Sequence, residues 1–207
     1  MSNYALVHLP KPVPTVEYFE KIKTLSEKYW NEIKLDKLLF GYQVQPKSKW
    51  KKGLSEEQLQ EFEKVMGFEF PLPLRNFYLT MNGLDKPCIN VYGNSGEDAA
   101  FQPIFYSFPD DLDLIKENID WIYKKNKTDL NKLKKAKASR IFPVHGHRFM
   151  LIDEPGFPIL SMHAGDIIYW KDNLSKVLAV EIFPDIENEH DFLNISEKKR
   201  WVKFWLE

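Results

Sequence analysis

The run Leu54-Ser55-Glu56-Glu57-Gln58-Leu59 constrains this chain more tightly than any other stretch. The Ser55 hydroxyl is placed to accept from the Gln58 amide while the Gln58 side chain reaches back, and Leu54 and Leu59 have the spacing of a hydrophobic staple. Leu59, Phe62, Val65 and Met66 continue as an apolar stripe, and Gly67 supplies the left-handed residue that stops a helix. After Phe68-Glu69-Phe70-Pro71 the pattern predicts a second helix from about Pro73, burying Leu74, Phe77, Tyr78 and Met81 and closed by Gly83. Two short amphipathic helices back to back need an apolar surface to cover.

The remainder supplies that surface as strands. An extended, proline-rich entry (Pro10, Pro12, Pro14) leads to a helix from about Thr15, with Val16, Phe19, Ile22, Tyr29 and Ile33 near helical spacing. Ile89–Tyr92 and Phe101–Phe108 read as short strands. A helix capped at Asp110 or Asp111 then turns Leu112, Ile115, Ile119 and Ile122 inward, followed by a lysine-dense connector, 124–137. Three strands follow in close order, Arg148–Ile152, Pro158–His163 and Asp166–Trp170, with turns that make an antiparallel meander. A helix over Asn173–Ile182 comes next, and then a last aromatic helix capped by Ser196 and running through Trp201, Phe204 and Trp205. Helices and antiparallel strands are segregated along the chain, so the fold class is α+β, an antiparallel or mixed sheet with flanking helices. Residues 1–40 read as an arm and helix packed as an extension, and 41–207 as the single domain proper.

Composition narrows the function. The 29 basic and 30 acidic residues leave a net charge of −1, which offers no basic excess for nucleic acid. Cys88 is the single cysteine, so no internal disulfide or cysteine-rich metal site is possible and a reducing, cytoplasmic setting is expected. Met1–Pro10 has neither the basic head nor the apolar run of a secretory leader, and no stretch approaches the length of a membrane span.

Two segments together resemble the SUKH superfamily, which includes fungal cell-wall-synthesis regulators and many bacterial immunity proteins. The first runs from Trp50-Lys51-Lys52-Gly53-Leu54-Ser55 through Met66-Gly67-Phe68-Glu69-Phe70-Pro71 to Met81-Asn82-Gly83. The second is Arg140-Ile141-Phe142-Pro143-Val144-His145-Gly146-His147-Arg148-Phe149, followed by Pro158-Ile159-Leu160-Ser161 and Asp166-Ile167-Ile168-Tyr169, similar to the bacterial branch. The resemblance covers about residues 40–180, with Trp50, Gly67, Pro71, Asn82, Gly83, Gly146, His147, Arg148 and Asp166 as its motif positions. It implies an α+β domain with no agreed catalytic machinery that binds a protein partner through a variable surface. In bacteria that partner is often a toxin encoded alongside, frequently a nuclease.

The residues themselves offer few rivals. His145 and His147, two apart on a strand, would share a face and could share a metal; the plainer account is a hydrogen-bonded His147 beside a close backbone approach at Gly146. Cys88 lacks any nucleophile motif and reads as a small buried hydrophobe. Ser161, in Leu160-Ser161-Met162, sits in no Gly-x-Ser-x-Gly elbow, and there is no phosphate-binding glycine loop. The lysines of 124–137 lack the interleaved aromatics of a nucleic-acid site and read as a solvated segment. Asp110, Asp111 and Asp113, and Asp185, Glu187, Glu189 and Asp191, are candidates for partner contact, since an inhibitor of a nuclease presents negative charge to a basic cleft; helix capping and a solvated loop are the plainer accounts. The six tryptophans, Trp30, Trp50, Trp121, Trp170, Trp201 and Trp205, are candidates for a binding hot spot, and core in the main is the plainer account. The expectation is therefore a non-catalytic, cofactor-free immunity protein that neutralises a bacterial toxin by direct binding. A regulatory or scaffold module is the alternative, followed by a metal-dependent enzyme using His145 and His147.

Overall fold

A computed structural model of the chain describes residues 9–93, 96, 98–186, 189–193 and 202–206. Six helices and eight strands are ordered as α1 (Val16–Glu32), β1 (Trp50–Lys52), α2 (Glu56–Met66), α3 (Leu72–Thr80), β2 (Met81–Leu84), β3 (Cys88–Asn90), β4 (Ala100–Gln102), α4 (Leu112–Lys125), α5 (Leu130–Ala136), β5 (Ile141–His145), β6 (Arg148–Leu151), β7 (Ile159–His163), β8 (Asp166–Lys171) and α6 (Leu174–Ile182). Two single 3-10 turns follow, Pro184–Ile186 and His190–Phe192. The class is α+β, as the segregated pattern implies.

The central sheet is an antiparallel meander in the order β5-β6-β7-β8, one strand more than the sequence reading counted. β5 contains Pro143, and it is an edge strand, where a missing backbone donor is tolerated. Side chains alternate between the two faces. Phe142, Val144, Met150, Ile152 and Ile159 enter one core with α1, α2, α3 and α6. Ile141, Phe149, Leu151, Leu160 and Met162 enter a second core with Ile122 and Tyr123 of α4, Leu133 of α5, and Val202 and Trp205. The first core is aromatic. Phe62 lies 4.4 Å from Phe108 in a stack and meets Phe70 and Tyr78 edge-on at 4.9 and 5.2 Å.

The helical hairpin forms as its caps require. Ser55 Oγ accepts from the Gln58 amide at 3.3 Å, Gln58 Oε1 accepts from the Ser55 amide at 3.0 Å, and Gly67 closes α2 at φ +79°. Val65 is the exception, turned outward at 40% exposure. α1 is capped by Thr15, but its inward stripe is Tyr18, Phe19, Ile22, Leu25 and Trp30, and Val16 faces solvent.

Four expectations are corrected. Gly83 does not end α3: that helix stops at Thr80, and Met81–Leu84 becomes β2, antiparallel to β1. Gly83 is needed because its φ is +71° and a Cβ there would fall 2.7 Å from the Ser107 Cβ. Beside it, Asn82 Nδ2 donates to the Phe108 carbonyl at 2.7 Å and Asn82 Oδ1 accepts from the Phe108 amide at 2.8 Å, so the Asn-Gly pair clamps the 105–108 segment. Phe101–Phe108 is not one strand. Only Ala100–Gln102 pairs, with β3, because Pro103 withdraws a donor. His145 and His147 do not share a strand face, since β5 ends at His145 and Gly146, at φ +48°, opens the turn into β6. The last aromatic helix does not form over 202–206, which make a turn with Phe204 at φ +72°. Trp205 instead inserts into the second core and its Nε1 donates to the Ser139 carbonyl at 2.8 Å. Ser196 and Trp201 lie outside the described residues.

Candidate functional site: a histidine-lined cleft

The second core opens to solvent at one of its ends. Where it opens, between α4 and the β5–β6 and β7–β8 turns, lies a cleft of about 750 Å³. Phe149 and Met162 form its inner wall, continuing the core outward. Leu114, Glu117, Asn118 and Trp121 of α4 form one side, His145, Gly146, His147 and His163 the other, and Gly41, Tyr42 and residues 102–104 the rim.

The walls are braced by polar contacts that a helix-and-strand pattern alone does not announce. Gly146 N–H donates to the Ile104 carbonyl at 2.8 Å, and Tyr106 Oη donates to the Gly146 carbonyl at 2.9 Å. Asn118 Nδ2 donates in turn to Tyr106 Oη at 3.1 Å, tying α4 to the turn. Beneath the turn sits a charged knot. Arg148 Nε donates to Glu181 Oε1 at 2.6 Å, and Arg148 Nη1 lies 2.5 Å from both Ser161 Oγ and His147 Nε2. The guanidinium also covers the Trp170 ring at 3.8 Å. His145 Nδ1 approaches Glu181 Oε2 at 3.5 Å.

These neighbours set the protonation states. Burial lowers the His145 pKa, and the Arg148 charge adds to that against the pull of Glu181. His147 is lowered to about 4, by burial first and then by Arg148. Burial would raise Glu181, but the charges of His145 and Arg148 outweigh it and hold the carboxyl below its ordinary range. At neutral pH His145 and His147 line the cleft as uncharged hydrogen-bonding rings. His147 turns its nitrogen to a guanidinium, a poor arrangement for a metal ligand. Among the described residues no group of three or more His, Cys, Asp or Glu is disposed to hold a metal ion. Cys88 is buried and its thiol is pushed up to about 12 by that burial, so it is not an activated nucleophile.

The motif positions fall in two places. Gly146, His147 and Arg148 build the cleft and its knot, with Asp166 exposed as the first residue of β8, opposite His163. Trp50, Gly67, Pro71, Asn82 and Gly83 build the helical layer: Trp50 is buried with Nε1 donating to Ser26 Oγ at 2.8 Å, and Pro71 precedes α3. The acidic candidates are dispersed. Asp110 pairs with Lys51 at 3.0 Å, and Asp111 Oδ2 accepts from the Ser107 amide and hydroxyl at 2.7 and 2.6 Å. Asp113 is exposed on α4, one turn before Glu117. Asp185, Glu189 and Asp191 are exposed after α6, and Glu187 lies outside the described residues. Sequence reasoning missed Glu181, Tyr106, Asn118 and Glu117. Glu181 carried a signal, as the one charge within Val177–Phe183. Trp121 was noted without a place.

The fold and the cleft together define an α+β domain whose antiparallel sheet is left partly open on one face. The SMI1 / KNR4 family (SUKH-1) matches over residues 53–199, and the chain belongs to that family. No curated protein matches the chain. The match starts at Gly53, inside the first motif, and takes in all of the cleft except Gly41 and Tyr42. The family is in general one of non-catalytic immunity and regulatory domains. Among the described residues no helix is long and apolar enough to cross a membrane.

Proposed function

We propose that this chain is an immunity protein that neutralises a toxin domain by binding it, with the cleft and the ridge beside it as the contact surface. The observation that carries this reading is the ridge. Leu38 is 84% exposed, Phe40 77% and Phe101 56%, with Phe40 stacked on Tyr92 at 4.5 Å. The chain runs from Leu38–Phe40 straight into Gly41 and Tyr42, and from Phe101 into Gln102, all three of them cleft residues. Large apolar side chains grouped at the mouth of a cleft mark a surface that a partner covers. Asp110, Asp113, Asp185, Glu189 and Asp191 add exposed negative charge, which would steer a partner with a basic face, such as a nuclease, toward the domain.

The test is co-expression with the toxin domain encoded beside its gene, together with calorimetry of the two purified proteins. The expected result is restored growth and a one-to-one complex. Undiminished toxicity with no heat of binding would reject the reading, and a stable complex with a regulatory protein instead would transfer the surface to a scaffold role.

A further inference from the structure

We infer that the cleft receives an arginine side chain of the partner, its guanidinium laid on the Trp121 ring and paired with the Glu117 carboxylate. This deepens the protein-binding reading by naming the chemistry of the contact. Among the described residues two carboxylates line the cleft, Glu117 and Glu181, and no lysine or arginine does. Glu181 is committed to Arg148 at 2.6 Å, whereas Glu117 makes no ion pair among the described residues. The cleft therefore presents one uncompensated negative charge on a mostly apolar wall.

Helix geometry places that charge beside an aromatic plate. Asp113, Glu117 and Trp121 recur every four residues on α4, so they stack on one side of the helix about 5–6 Å apart. Trp121 is 37% exposed, and its ring is supported by His163 at 5.4 Å. Asp166, the cross-strand partner of His163, adds a carboxylate on the same face of the hairpin. Lys125 continues the α4 row one turn past Trp121, outside the lining, and marks where the acidic stretch ends. A carboxylate next to an exposed indole suits arginine better than lysine, because a planar guanidinium stacks and forks at once while an ammonium is a strongly hydrated point charge.

Three capped peptides probe this on the full chain: acetyl-Gly-Arg-Gly-amide, its lysine counterpart and its neutral citrulline isostere, each titrated by NMR on the Gly146 backbone amide, a cleft group present in every variant, with the Trp121 indole N–H as a second signal where tryptophan is retained. The arginine peptide is expected to saturate and to bind about five-fold or more tighter than citrulline, with lysine between them. Glu117→Gln should bring arginine to the citrulline level. Trp121→Ala should weaken both, and Trp121→Phe should recover part of the loss. Both positions are exposed, so a melting curve shows that the variants still fold. No saturation by the arginine peptide, equal affinity for arginine and citrulline, or no effect of Glu117→Gln overturns the inference. A protein partner whose affinity falls with Phe40→Asp but not with Glu117→Gln would remove the arginine site and leave the protein-binding reading standing. Arginine selectivity without any protein partner would do the reverse.

Discussion

The two faces of the β5–β8 meander are built from the same kinds of residue and finish differently. One face meets four helices and disappears into a continuous aromatic core around Phe62, Phe108 and Phe142. The other is covered in part by α4, α5 and Trp205 and left open beyond them, where Phe149 and Met162 become the floor of a cleft. Aromatic side chains at the open end, Trp121, Phe40 and Phe101, keep contact with water. The closed face accounts for stability, and the open one is the surface proposed for recognition. A substitution should therefore affect one property or the other according to the face on which it falls.

The sharpest way to break this division is Phe62→Ala. Losing a fully buried ring that stacks on Phe108 should cost about 3–5 kcal/mol in a urea denaturation series; a loss below about 1 kcal/mol would mean the closed face can collapse around the hole. Next is the knot beneath the cleft. Arg148→Met leaves Glu181 with its principal partner gone, and about 3 kcal/mol of destabilisation is expected. Arg148→Met combined with Glu181→Leu should recover most of it, and a double variant as unstable as the single would show that the cation over Trp170 matters more than the ion pair. Gly83→Val tests the backbone, where strain at φ +71° and the clash with Ser107 should together cost about 2–4 kcal/mol.

Proton linkage gives a smaller effect confined to the open side. His147 has a lower pKa in the folded chain, about 4, than the 6.5 of an unperturbed imidazole. The unfolded chain therefore binds more protons than the folded one between those values. Stability is complete above pH 6.5 and falls as the pH drops toward 4. His147→Gln should make the urea midpoint fall less steeply across that window, with His145 supplying the remainder, and an unchanged slope would place the linkage elsewhere. The smallest effect on folding belongs to Phe40→Asp, at 77% exposure, which should change stability by about 0.5 kcal/mol or less while weakening partner binding at least ten-fold. Equal losses of both would deny that the two faces divide the work.

The legible parts of this fold were the local ones. Ser55, Gln58 and Gly67 are read by their own neighbours within one helix, and so were predicted with their roles. Gly83 was located but explained wrongly, because its requirement comes from Ser107 in another segment. The pairing of His145 and His147 failed for a similar reason: a period of two holds only while the strand continues, and β5 ends at the first of them. Of the cleft, only the Gly146-His147-Arg148 turn was visible, through the family motif. Glu117, Asn118, Tyr106 and Glu181 are ordinary helix and loop residues until they meet.

By itself the sequence determined the helical hairpin, the meander, the α+β class and the family, since each depends on periodicity, caps or motif order within short spans. Tertiary structure decided where the second core stops and a cleft begins, which glycine guards a backbone approach, and that Glu117 and Trp121 of α4 face three histidines. Those facts depend on distances between residues 20 to 140 positions apart, and local propensity carries no information about them.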